Sequence, residues 1–140
     1  MQAPGRLPNL VAGLDTLPAR LRVALDHQAD YAALQPEWRN LLEAICLAHG
    51  LAAWRRVLHF VQLLDEPWFR QIRFNDMRQG LALALEAAAN LQDQPAQARA
   101  LLRLGEIETE LNDYAAAAAH LENGMQQHRL VSFLHRIVLQ

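Results

Sequence analysis

The sequence contains no lysine, one serine (Ser132) and two threonines (Thr16 and Thr109). Phosphate-binding loops of the Gly-Lys-Ser/Thr kind need a lysine followed by a hydroxyl residue, and Schiff-base enzymes need a lysine amine. Serine nucleophiles are almost absent, because the sequence contains a single serine. These absences exclude much of the common catalytic chemistry, so we predict a protein that is not an enzyme and uses no cofactor.

Further absences limit location and partners. The single cysteine, Cys46, excludes an internal disulfide and is compatible with a reducing cytosol, which predicts a cytoplasmic protein. No apolar run reaches the roughly 18 residues of a membrane-spanning helix, and the Pro/Gly-punctuated start lacks the pattern of a signal peptide. The net charge of -2 supplies no basic field. We therefore expect no membrane partner and no nucleic-acid partner.

Residues that favour helices dominate the chain. Hydrophobic residues make up 52% of it, with only six glycines and six prolines. Most of the hydrophobic residues are alanine and leucine, which lose little conformational freedom in a helix. We predict an all-α fold in which residues 14–140 form one domain of antiparallel helical hairpins and residues 1–13 form an extended arm.

The apolar spacing and the turn residues predict six helices. They are expected at 14–30, 36–49, 51–64, 77–91, 96–111 and 114–127. Gly50 is expected to take the left-handed conformation that ends the second helix. The run from Asp65 to Pro67 is expected to stop the third, and residues 68–74 form either a short helix or the start of the next one. Residues 126–140 either continue the last helix or form a further one.

One segment, Ala96–Met125, carries a repeat-like pattern. It contains a large apolar residue, a Leu-Gly pair, a turn with Asn, Asp and Tyr, and then alternating small and large residues: Leu101, Leu104, Gly105, Asn112, Asp113, Tyr114, Ala117, Leu121 and Gly124. Gly105 and Ala117 are small enough to let two helices approach closely. The segment resembles a tetratricopeptide repeat. It departs from that pattern at Glu108, where an aromatic residue is usual, and no proline closes the unit.

This resemblance implies a fold and a function. Tetratricopeptide hairpins stack as a right-handed solenoid, and one hairpin needs neighbours to bury its apolar face. Weaker resemblance reaches back to about Gln35, with Gly80 and Ala87 at small positions. The implied function is a non-catalytic scaffold that binds a partner peptide or protein domain. By repeat geometry, exposed polar residues of the concave face would contact that partner: Arg99, Arg103 and Glu106.

The wider order of segments has a second likeness. A helix with the sequence EWRNLL, a hairpin with tryptophans and then Ala84–Tyr114 are similar to the helical region that follows the ATPase core in bacterial signal-transducing (STAND/NB-ARC-type) regulators. This likeness implies an alternative function as the sensor or regulatory segment of a larger ATPase or transcriptional regulator. The sequence lacks the ATPase core, so no nucleotide activity is implied.

One cluster combines basic and aromatic side chains: Arg70, Arg73 and Arg78 with Phe69 and Phe74. Such a cluster either contacts an acidic peptide, a phosphate or a nucleic acid, or pairs internally with nearby Asp65, Glu66 and Asp76. We include the three arginines among the candidate partner-binding residues.

Other chemistry-bearing residues favour structural interpretations. No two of the six histidines have the spacing of a zinc-protease helix, so we predict no metal site. Glu106 and Glu110 share a helix face that we expect to be solvated. Cys46 is expected to be a small core residue. The three tryptophans are expected to lie in the core, with an aromatic ligand cage as the alternative.

The last stretch of the sequence carries a second apolar face. Its residues are Leu130, Val131, Phe133, Leu134, Ile137 and Val138. No later segment of the sequence offers it a partner. We therefore expect that it packs back on the domain, that it dimerises, or that the chain is a piece of something longer.

Overall fold

The computed structural model describes residues 38–139, which form five α-helices. They are α1 (Trp38–Gly50), α2 (Trp54–Arg70), α3 (Phe74–Asn90), α4 (Gln94–Glu110) and α5 (Tyr114–Leu139). Each helix packs against the next as an antiparallel neighbour, and α1 also contacts α3. The predicted all-α class is confirmed for this part of the chain. The predicted arm at 1–13 and the helix predicted at 14–30 lie outside the described residues.

The four turns between these helices follow one design. Each has three residues, and its middle residue has a left-handed backbone, with φ between 53° and 62°: Ala52, Ile72, Gln92 and Asn112. These positions are 20 residues apart (52, 72, 92, 112). The N–H of the following residue donates to a carbonyl five residues earlier, as in Asp113 to Glu108 at 2.8 Å. This is the Schellman arrangement, which satisfies carbonyls at the end of a helix.

The turns also begin the next helix. The carboxylates of Asp93 and Asp113 accept from the backbone N–H groups of Ala96 and Ala116, so they cap α4 and α5. The turn predicted at Asn112 and Asp113 and the helix start predicted at residue 114 are confirmed.

The pattern of buried and exposed residues also recurs every 20 residues in α2 and α3. From Ala53 to Arg70 the sequence of buried, half-buried and exposed positions is repeated position for position from Arg73 to Asn90. The core cluster draws its buried residues from α1, α2, α3 and α4 and includes Trp38, Phe60, Leu64, Trp68 and Met77. Two of the tryptophans, Trp38 and Trp68, are buried as predicted, while Trp54 is half-buried and meets the ring of His49 edge-on.

Several predicted boundaries are wrong. Helix α2 continues through Pro67 to Arg70, because the proline lies in the last turn with its ring buried, where interrupting one helical hydrogen bond does not end the helix. Helix α3 begins at Phe74 and not at Met77. Gly50 is not left-handed, since the positive φ of the first turn falls on Ala52. Cys46, predicted in the core, is exposed.

Close helix contacts depend on glycine at three places. A Cβ added to Gly80 would lie 2.5 Å from Cη2 of Trp68, and one added to Gly105 would lie 2.5 Å from Cδ2 of Leu121. Gly124 approaches Leu102 in the same way. The close approach predicted at Gly105 and the small residue predicted at Ala117, which is buried, are confirmed.

Helix α5 departs from the 20-residue interval. Helices α2, α3 and α4 end at residues 70, 90 and 110, but α5 passes residue 130 and continues to Leu139. Residues 126–139 therefore continue the preceding helix, which was one of the two predicted alternatives. No helix among residues 38–139 combines the length and the hydropathy that crossing a membrane requires.

Candidate binding groove

A groove of about 280 Å³ lies between α2 and α4, with α3 beneath it. Its apolar lining comes from Leu58 and Val61 of α2, Leu81 and Ala84 of α3, and Ala96 and Ala100 of α4; Gln62, Asp65, Arg99 and Arg103 supply its polar lining. An apolar floor with a few polar groups at the edge is the usual composition of a binding site. The volume is near the lower limit for such sites, so the groove suits a short extended segment better than a whole helix.

Arg103 is held rigidly at the edge of this groove. Its Nε and Nη2 donate to the two carboxylate oxygens of Asp65 at 3.0 and 3.1 Å, and its Nη1 donates to Glu106 at 2.7 Å. Its guanidinium also lies over the ring of Phe69, 4.7 Å from the centroid. Burial alone would lower the pKa of Arg103, but its hydrogen bonds to Asp65 and Glu106 and their charges outweigh this effect and raise it. The side chain therefore stays cationic and fixed.

Arg99 differs from Arg103 in having no ion-pair partner among residues 38–139. It is exposed on α4, one turn before Arg103, and lines the same groove. Within residues 38–139 no carboxylate pairs with it, whereas Asp65 and Glu106 are both taken by Arg103. The groove therefore presents a guanidinium with its hydrogen-bonding capacity available to a ligand beside an apolar floor.

The other predicted arginines are engaged elsewhere. Arg70 pairs with Glu66 on its own helix at 2.9 Å, and Arg73 pairs with Asp76 at 2.7 Å. Internal pairing with these two acids was the alternative that the sequence analysis left open. Arg78 reaches further, to Asp113 at 2.8 Å and Glu108 at 3.4 Å. The structure thus brings Arg99 and Arg103 to one groove, while Glu106 does not line it and only accepts from Arg103. It does not place Arg70, Arg73 or Arg78 in the groove.

Glu108 forms a buried polar contact that the sequence analysis did not predict. It is 1% exposed, and its carboxylate binds Nδ1 of His120 on α5 as well as Arg78 on α3. Glu106 and Glu110, in contrast, are exposed as predicted. The signal for Glu108 was its place in the apolar stripe of α4, directly after Ile107 and four residues after Leu104. The contact ties three helices together and serves packing, because its carboxylate is enclosed.

The histidines do not assemble a metal site in the described part of the chain. There, no three His, Cys, Asp or Glu side chains are close enough to hold one ion. His49 instead contacts Glu86 of α3 at 2.5 Å, which links α1 to α3.

No protein-family model matches the chain, and neither curated proteins nor solved structures gave a match to it.

Proposed function

We propose that the protein is a non-catalytic interaction module whose helical hairpins stack as a short, right-handed, tetratricopeptide-like solenoid and bind a segment of a partner protein. The observation that carries the proposal is the groove between α2 and α4, with its apolar floor and the guanidinium of Arg99, which pairs with no carboxylate of the described helices. The partner segment would lie extended in the groove and direct a carboxylate to Arg99.

The regular spacing of the turns supports the stacked architecture. A stack of similar hairpins requires that equivalent positions recur at a fixed interval, and the left-handed turn residues recur every 20 residues (52, 72, 92, 112). Two helices and two turns thus take 40 residues, compared with 34 in a tetratricopeptide hairpin. The unit we propose is therefore longer than that of the family it resembles, and it gives α2 and α4 equivalent positions on either side of α3.

The alternative role, as a regulatory segment of a larger ATPase-type regulator, rests on the order of segments in the sequence. The geometry of residues 38–139 adds no observation that favours it, so the groove determines our choice.

The test is selection of peptides from a random displayed library on the full chain. We expect the enriched peptides to carry an acidic side chain or a free carboxyl terminus beside apolar residues. Arg99→Glu should weaken their binding at least about tenfold, because a hydrogen bond to a charged group contributes about 1.5–3 kcal/mol. Gln62→Trp should also weaken it, since Gln62 is exposed at the edge and a larger side chain would fill the groove.

The matched control is Arg39→Glu, which reverses a charge on α1, where the side chain is 91% exposed and outside the groove. Peptides should bind this variant as they bind the wild type. Arg103→Glu is a poor test, because it would bring a third carboxylate next to Asp65 and Glu106 and disturb the fold. If no peptide is enriched, or if the enriched peptides bind Arg99→Glu and Gln62→Trp as tightly as the wild type, the proposed function is wrong.

A further inference from the structure

The two helices that border the groove each carry an exposed arginine and, three turns later, an exposed glutamate. On α2, Arg55 precedes Glu66 by 11 residues, and Gln62 of the groove lining stands between them. On α4, Arg99 of the groove lining precedes Glu110 by the same 11 residues. Eleven residues are about three helical turns, so each arginine and its glutamate lie on the same side of their helix, about 16 Å apart along its axis.

The packing of the helices places like charges at the same end of the groove. Because α2 and α4 are both antiparallel to α3, they run in the same direction. The ion pair between Asp65 and Arg103 joins the two helices and aligns them along the groove. The two arginines therefore lie toward the end of the groove where both helices begin, and the two glutamates lie toward the end where both helices finish. We call these the amino end and the carboxyl end of the groove.

The positive charge at the amino end is available to a ligand. Neither Arg55 nor Arg99 takes part in an ion pair among residues 38–139. Neither α2 nor α4 has an acidic residue in its first turn. An acid at this end, Asp93, is half-buried and already accepts from the backbone N–H of Ala96. The positive ends of two parallel helix dipoles thus add to the two guanidinium groups.

The carboxyl end has an excess of negative charge. Four acids of α2 and α4 lie toward it, together with two arginines: Asp65, Glu66, Glu106 and Glu110, with Arg70 and Arg103. The arginines pair with the first three of these acids, which leaves Glu110 outside every ion pair of the described helices. Helix α4 has no basic residue in its last turn, so the negative end of its dipole adds to the charge of this carboxylate.

We propose that the partner segment carries opposite charges at its two ends. Its carboxylate lies at the amino end of the groove beside Arg55 and Arg99, its apolar side chains lie on the floor, and its cation lies at the carboxyl end beside Glu110. This inference rests on the proposed function and specifies its ligand. A separation of about 16 Å corresponds to about five residues of extended chain, so the acidic and the basic residue are about four to six positions apart.

The charge at the carboxyl end argues against a ligand that is acidic throughout. Such a segment would bring carboxylates next to Glu66, Glu106 and Glu110, where the two arginines are already paired with acids. A polyanion such as a nucleic acid would meet the same repulsion. A segment with one charge of each sign is attracted at both ends, and the two attractions also determine which of its ends lies at Arg99.

The test uses the peptides that the displayed library enriches on the full chain, synthesised and titrated by fluorescence anisotropy. We expect them to combine an acidic and a basic residue at this spacing around an apolar centre. Glu110→Arg should weaken their binding about fivefold, because it replaces an exposed attraction with a repulsion. Changing the basic residue of the peptide to glutamate should restore binding to Glu110→Arg and weaken binding to the wild type.

The matched control is Glu122→Arg, which makes the same change of charge at an exposed position of α5, outside the groove, and should leave binding unchanged. Circular dichroism checks that both variants remain helical. Enriched peptides that bind Arg99→Glu weakly but lack a basic residue at this spacing would overturn the polarised ligand and leave the groove as a binding site. Equal binding to Glu110→Arg and the wild type would have the same meaning. A library that enriches no peptide would overturn both proposals.

Discussion

Substituting Gly80 with alanine tests whether the contact between α2 and α3 is as tight as it appears. The new Cβ would lie 2.5 Å from Cη2 and 2.9 Å from Cζ3 of Trp68, whereas carbon atoms pack at about 3.5–4.0 Å. The indole is rigid and fully buried, so the helices must separate by a large part of an ångström. Overpacking of this kind costs about 1–3 kcal/mol.

Helix propensity acts in the opposite direction. Gly80 lies inside α3, where alanine is favoured over glycine by about 1 kcal/mol. Because the indole is fully enclosed, we expect the upper part of the overpacking range and a net loss of about 2 kcal/mol in the free energy of unfolding. For about 100 ordered residues, this loss lowers Tm by about 10 °C.

The assay is urea unfolding followed by circular dichroism, together with a thermal scan. Gly50→Ala is the control, since nothing lies within 4 Å of a Cβ at Gly50, and its stability should be unchanged or raised by up to about 1 kcal/mol. Trp68→Phe should couple to Gly80→Ala, because the smaller ring removes the atoms that the new methyl group meets. A Gly80→Ala protein as stable as the wild type would refute the reasoning.

Two further substitutions test the turn design and the buried carboxylate. Ile72→Gly should stabilise the fold by about 1 kcal/mol in urea unfolding, because a β-branched residue at φ 56° is strained and glycine is not; a loss of stability would show that the Ile72 side chain contributes more than its strain costs. Glu108→Ala should lose about 1–3 kcal/mol by the same measurement, since it removes the acceptor that binds His120 and Arg78 inside the fold. Glu110→Ala, at an exposed position, should change stability by less than about 0.5 kcal/mol, and equal effects of the two alanines would contradict a structural role for Glu108.

The helical class and most apolar stripes were predictable because periodicity records which side of a helix is buried. The positions of the turns were harder to predict. At the first two turns the prediction relied on Gly50 and Pro67, but the left-handed residues there are Ala52 and Ile72, and Pro67 lies within a helix. Only Asn112 was part of a predicted turn. A Schellman turn is stabilised by backbone hydrogen bonds, so it accepts Ala52 or Ile72 at a cost of about 1–2 kcal/mol without leaving the usual signature.

A different signal in the sequence identifies the 20-residue spacing of the turns. Aromatic residues begin α2, α3 and α5 at Trp54, Phe74 and Tyr114, and an aliphatic residue recurs every 20 positions: Leu41, Val61, Leu81, Leu101 and Leu121. The sequence analysis compared the chain with the 34-residue tetratricopeptide unit, and that comparison does not detect a spacing of 20 residues. The groove was predictable only in part. Arg99 and Arg103 follow from their place on α4, but the availability of Arg99 depends on Asp65 being taken by Arg103, a contact across 38 residues that no local pattern records.

If the proposed 40-residue repeat holds, Trp68 and Glu108 occupy equivalent positions and fill them with different chemistry. Trp68 and Glu108 are 40 residues apart, and each contacts the residue 12 positions later in the chain, Gly80 and His120 respectively. In the first pair a large apolar ring needs a partner without a side chain. In the second pair a small carboxylate leaves room for an imidazole and requires a hydrogen-bond donor, because a buried unpaired carboxylate is costly. The buried carboxylate of Glu108 is therefore compensated by His120, and the two residues must be considered as a pair.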